Sequence, residues 1–122
     1  MVWISWNTAG GVMAQLFSTR LLIIKERGIS TAVGIDLYLA GIALDSYRAI
    51  EIFVEVVNHK IILDIAGGIK PLERMGPAPI EYLEKFNRGI PLVAPTRPYC
   101  LEVPVGYPDS IIFKITEVRE AQ

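Results

Sequence analysis

Two apolar, β-branched runs dominate the middle of the chain: Ala49 to Val57 (AIEIFVEVV) and Lys60 to Ala66 (KIILDIA), separated by Asn58-His59. A two-residue polar break between such runs predicts a β-hairpin. In the register that the turn imposes, Val57 faces Lys60 and the pairing continues outward to Ile52 opposite Ile65. Alternation then puts Ile52, Val54, Val56, Ile61, Leu63 and Ile65 on one face, and Glu51, Glu55, Lys60 and Asp64 on the other. A slip of one residue would carry the carboxylates into the core, which favours this register. Phe53, Val57 and Ile62 share the charged face, so that face is expected to meet a second surface.

The same pattern places the other elements. Val2 to Trp6 reads as a short strand or arm, Asn7 to Gly11 as a break, and Val12 to Ile24 as a longer strand. Ile29 to Leu44 is a second extended stretch, in which Gly34 and Gly41 signal bulges or the close approach of another backbone. Asp45-Ser46-Tyr47-Arg48 reads as a turn, and the stretch after Gly67-Gly68, with Pro71, Gly76 and Pro77, as irregular. One helix is predicted, from Pro79 to Arg88. Pro79 suits a first turn, Gly89 terminates, and Glu81/Lys85 and Glu84/Arg88 are i,i+4 pairs in the favourable order. Ile90 to Pro98, with three prolines, reads as an extended crossing segment. Tyr99 to Val105 and Ile111 to Val118 are strands around a Gly106-Tyr107-Pro108-Asp109 turn, with Ile111, Phe113 and Ile115 inward and Lys114 and Thr116 outward. About seven or eight strands and one short helix (79–88) predict a mainly β fold, a single-domain antiparallel β-sandwich of jelly-roll type. Residues 1–11 form its N-terminal arm or edge strand and residues 12–122 the sandwich domain.

Composition adds an expectation about assembly. With tyrosine counted and its ten glycines not, the 122-residue chain is 52% hydrophobic. That exceeds the usual ~45–50%, a range that includes glycine. A domain this small has much surface to cover, so the excess is more readily buried between subunits than in one core. A homo-oligomer is therefore expected. The scarcity of Asn and Gln beside abundant Ile and Val fits a thermophilic source.

Charge and motifs exclude several classes. The net charge of −1 gives no basic footprint, so no nucleic-acid partner is expected. No apolar run is long enough for a membrane span and the N-terminus has no basic leader, so the chain is expected to be soluble, without a signal peptide. The single cysteine, Cys100, forms no internal disulfide and is expected as a buried, inert thiol between Tyr99 and Leu101. His59 is the only histidine, which leaves no histidine or cysteine set for a metal. Phosphate-loop, dinucleotide and nucleophile-elbow spacings are all missing, so no cofactor or catalytic residue is assigned.

Two groups of residues carry functional expectations. The predicted hairpin sets Asp64 diagonal to Glu51 and Glu55 at roughly 7–8 Å, within the spacing of an inverting glycosidase pair. The simpler account of alternating acids is a solvated sheet face. Trp3 and Trp6, three positions apart on an extended arm, would point to opposite faces, and one of them would then serve as a clasp on a neighbouring subunit. The expected function is a non-enzymatic structural subunit that self-assembles, as in a virion (a capsid), shell or lattice, with Trp3, Trp6, Phe53, Val57 and Ile62 at the interface. The alternative is a small-molecule or carbohydrate-binding β-sandwich, with Glu51, Glu55 and Asp64 as hydrolytic groups.

Overall fold

The computed structural model describes residues 4–7, 13–93 and 97–122. Its elements in chain order are β1 (Ile4–Asn7), β2 (Met13–Glu26), β3 (Ile29–Gly34), β4 (Ala40–Ala43), α1 (Ser46–Ala66), α2 (Ile80–Asn87), β5 (Ile90–Leu92), β6 (Tyr99–Leu101) and β7 (Ser110–Glu120). β2 and β7, the two long apolar strands, run parallel at the centre of one open mixed sheet. Each carries two short antiparallel strands on its far side: β1 and β3 on β2, β6 and β5 on β7. β4 continues outward from β3 and closes that side of the sheet as an edge.

The fold is therefore α/β, and the sandwich and jelly roll expected from the pattern are overturned. Among the described residues no second sheet faces the first. One face is covered by α1, a single 21-residue helix where a hairpin was expected. Asn58-His59, read as the hairpin turn, lies in mid-helix. The physical reason lies in the ends and the length. Asp45 caps the helix, its side chain accepting the Arg48 N–H at 2.9 Å, and Gly67 closes it with its N–H on the Leu63 and Asp64 carbonyls. Between those caps no Gly or Pro interrupts the run, and a stretch this long without a breaker favours a helix over two strands. Ala49, Ile50, Phe53, Val54, Val57, Ile61 and Asp64 form the buried stripe at helical spacing. Val54 is core and Glu55 is exposed, as expected, although a helix rather than a strand sorts them.

α1 lies over the β3–β4 side of the sheet, and glycine makes the approach possible. A Cβ at Gly41 would overlap the Phe53 amide nitrogen and the Ala49 carbonyl oxygen, so β4 and α1 touch backbone to backbone. The expectation of close approach at Gly41 holds. Against α1 the sheet presents Phe17, Leu21 and Ile23 of β2 with Ile111, Phe113, Ile115 and Val118 of β7. The step from Ile115 to Val118 breaks the two-residue period. A bulge at this point shifts the register, so that Thr19 pairs with Ile115 and Arg20 with Glu117. The extra residue, Thr116, turns Glu117 away from the core and restores Val118 to it.

The opposite face is covered in part by α2, which matches the predicted helix to within a residue at each end. Phe86 anchors it, packed with Leu22 and Ile35. The Arg20 and Arg119 guanidinium carbons lie 5.4 and 4.8 Å from the centroid of its ring. Arg119 also donates to the Phe86 and Asn87 carbonyls at the end of α2. Among the described residues no helix is long and apolar enough to cross a membrane.

Candidate interaction surface

The carboxylates expected to act together are apart. Glu51 and Glu55 sit on the exposed side of α1, where Arg48 reaches them at 2.9 and 3.6 Å. Asp64 is nine residues beyond Glu55, two and a half turns and roughly 13 Å along the axis, which puts it on the opposite side. It is 2% exposed and holds structure: Lys60 Nζ donates to it at 2.6 Å and the Leu72 N–H at 2.9 Å, while its own carbonyl accepts the Ile69 N–H. Leu72, at a positive φ of 61°, is thereby fixed in the core. A hydrolytic pair across a hairpin has no counterpart here.

The residues expected at an interface also divide. Phe53 and Val57 are fully buried within the chain, under the sheet-facing side of α1. Ile62 is half-buried on α1. Trp6 lies in β1, at the register position opposite Ala14, and Trp3 is outside the described residues. Since β1 pairs with β2 of the same chain, it is an edge strand of its own sheet. Cys100, expected to be buried, is exposed on β6, because its register partner Ile112 lies on the face away from α1. His59 is exposed on α1. Among the described residues no group of three or more His, Cys, Asp or Glu is placed to hold a metal ion.

The sheet edge at β4 draws attention instead. From Ala40 to Leu44 the edge reads Ala-Gly-Ile-Ala-Leu, with no charge and no proline. Native edges are usually blunted by such residues, because unpaired N–H and C=O groups recruit other strands. The opposite edge is blunted in this way, with Pro91 in the middle of β5. Register places Ile24, Thr31 and Ile42 in one row across β2, β3 and β4, on the face away from α1. Ile42 is 62% exposed, Leu44 just beyond it 83%, and Ile29 is exposed nearby on β3.

The other side of the same edge is apolar too. α1 turns Ile52, Val56 and Leu63 toward solvent, and with Leu39 just before β4 they line a groove of about 450 Å³. His59, Glu55 and Lys60 give that groove a polar border. Apolar surface therefore lies on both sides of an unprotected strand.

Arg20 and Asp36 form a two-pronged pair, Nε to Oδ2 at 3.0 Å and Nη2 to Oδ1 at 2.7 Å, and Asp36 also accepts the Arg20 N–H. These hydrogen bonds hold the Asp36 carboxyl below its ordinary range and raise Arg20 above its own. Burial pushes the Tyr99 hydroxyl upward. Two buried side-chain polar atoms have no hydrogen-bond partner among the described residues: Oε1 of Gln15, 5% exposed on β2, and Oγ of Ser46 at the first position of α1.

Fold and surface together define an α/β protein with one open mixed sheet, a long helix on one face and an unprotected apolar edge. No protein-family model matches the chain, and neither a curated protein nor a solved structure does.

Proposed function

We propose that the protein is a non-enzymatic structural subunit that associates with copies of itself through the β4 edge. One observation carries this reading: an uncharged, proline-free edge strand with exposed isoleucine and leucine on one side and an apolar helix groove on the other. Antiparallel pairing of β4 with β4 of a second copy is self-complementary, so a two-fold axis satisfies both edges at once. The two sheets become one. Such pairing sets the Ile42 and Leu44 surfaces side by side, and α1 of each copy along its counterpart. The excess of apolar residues then has a place to be buried.

A shell or lattice requires a second contact beyond a two-fold one. Tyr47 and Val93 border a groove of about 370 Å³ near the start of α1, and Ile90 is exposed on the adjoining β5; together they supply apolar surface for that contact. The association of capsids with jelly rolls lends no support, because this chain has a different fold. Self-association stands on the edge alone.

The test is sedimentation equilibrium of the wild type and of Ile42→Lys. Because Ile42 is mostly exposed, the variant keeps its core, and its melting temperature is expected to change little. The wild type is expected as a dimer or larger species and the variant as a monomer. A monomeric wild type at micromolar concentration rejects the proposal.

A further inference from the structure

α2 is tied to the turn that follows β3 at two places. Phe86 seats the helix on Leu22 and Ile35, and the segment leading into it bonds back to the turn, with the Tyr38 N–H on the Gly76 carbonyl and the Ala78 N–H on the Ile35 carbonyl, both at 2.9 Å. Tyr82 stands one turn before Phe86 on the same side of α2. The two attachments bring Tyr38 and Tyr82 together. Their ring centroids are 5.8 Å apart with the planes at 44°, and among the described residues no other two tyrosine rings are in contact.

The pair is open to solution, since Tyr38 is 43% exposed and Tyr82 half-buried. A hydrogen bond between the two side chains holds the Tyr38 phenol above its ordinary range, and the nearby Glu81 acts in the same direction. That bond decides which edges of the rings meet. In a tyrosine ring the ortho carbons flank the carbon that bears the hydroxyl, so two rings joined hydroxyl to hydroxyl turn an ortho carbon of one toward an ortho carbon of the other. Side chains at the surface rotate within nanoseconds, which closes the remaining gap without disturbing the backbone.

We propose that Tyr38 and Tyr82 are an oxidative cross-linking site, joined as a dityrosine within one chain by a haem peroxidase and hydrogen peroxide. Each phenol gives up one electron and one proton, which leaves a phenoxyl radical with its unpaired spin shared between the oxygen and the ortho carbons. The two radicals pair to form one carbon–carbon bond. The two ortho hydrogens then move to the oxygens as the rings regain aromaticity, and the peroxide, having taken up two electrons and two protons, leaves as two waters. Both hydroxyls are kept, on either side of the new bond. Rings already held side by side couple within the chain faster than they meet a ring of another molecule. The link ties together the two ends of the segment that carries β4 and α1, so it restricts the unfolded chain as a disulfide does. This inference is independent of self-association through β4.

The test treats the full chain, at low protein concentration, with hydrogen peroxide and a haem peroxidase, followed by intact mass, a denaturing gel and fragmentation of the tryptic peptides. Expected are a chain lighter by two hydrogens, blue dityrosine fluorescence in the single-chain band, and a linked peptide joining Tyr38 to Tyr82. Tyr47 is the more accessible ring at 70% exposed. Links through Tyr47 are nonetheless expected to be about tenfold rarer, because it has no tyrosine ring beside it among the described residues. Tyr38→Phe and Tyr82→Phe each keep a ring in place and remove the phenol, so each is expected to abolish the linked peptide, whereas Tyr47→Phe leaves its yield unchanged. Oxidation is expected to raise the melting temperature of the wild type and of neither Phe variant at the pair. Circular dichroism checks that these variants are folded, and if one is not, the other carries the test. A wild type that yields no Tyr38–Tyr82 peptide, that links mainly between chains, that links through Tyr47 at equal yield, or that gains no stability from the link overturns the inference.

Discussion

Asp36 ties the turn after β3 to the centre of β2, and its environment makes that tie dependent on pH. Hydrogen bonds from Arg20 hold its carboxyl below the ordinary value of 3.8, against an opposing effect of burial. A carboxyl lowered in the folded state binds its proton more weakly there than in the unfolded chain. The contribution of the pair is therefore complete above the unfolded value and is lost as pH falls through the folded one. Melting temperature of the wild type is expected to drop more steeply than that of Asp36→Asn below about pH 4. Parallel acid profiles of the two proteins contradict this role. Single residues were partly legible in the sequence: Ile111, Phe113 and Ile115 point inward and Glu55 outward, as strand or helix alternation demands. Asp64 and Cys100 were not, since the burial of one and the exposure of the other depend on contacts across the fold.

At the scale of elements, β2, β7 and α2 follow from local pattern, whereas α1 does not. The helix is apolar almost all round, so its stripe has weak contrast, and its β-branched content mimics strand. Glu51 and Glu55, four apart, satisfy a period of two as well as one of 3.6. What separated the alternatives was the cap at Asp45 and the unbroken length to Gly67. Asp45→Ala is accordingly expected to destabilise the protein by about 1 kcal/mol in urea unfolding, with far-ultraviolet dichroism unchanged before the transition. A neutral substitution at Asp45 contradicts the importance of that cap. Asn58, read as a turn residue, serves the helix differently: its amide makes paired bonds with the Glu102 backbone, N–H and carbonyl alike, at 3.0 and 2.7 Å. No sequence pattern announces a pairing across 44 positions.

For the molecule as a whole, composition pointed to association, and the structure supplies a surface with that character at a place the sequence could not locate. The apolar excess of the middle segment goes in part to the underside of α1, where Phe53 and Val57 are used within the chain. Its outer flank and the β4 edge stay uncovered. Register decides which isoleucines share a face, and register depends on strand partners distant in sequence. The carboxylate expectation rested on strand geometry that this segment does not adopt: a helix sets Glu55 and Asp64 on opposite sides.

The most direct measurement is hydrogen exchange of the Ala40 to Leu44 amides as a function of protein concentration, read beside the sedimenting mass. Pairing of β4 between copies protects amides that are otherwise open at the sheet edge. Protection in this segment is expected to rise in step with the mass, and to stay low at every concentration in Ile42→Lys. Exchange at β4 that is the same in the associated and dissociated protein contradicts the β4 interface.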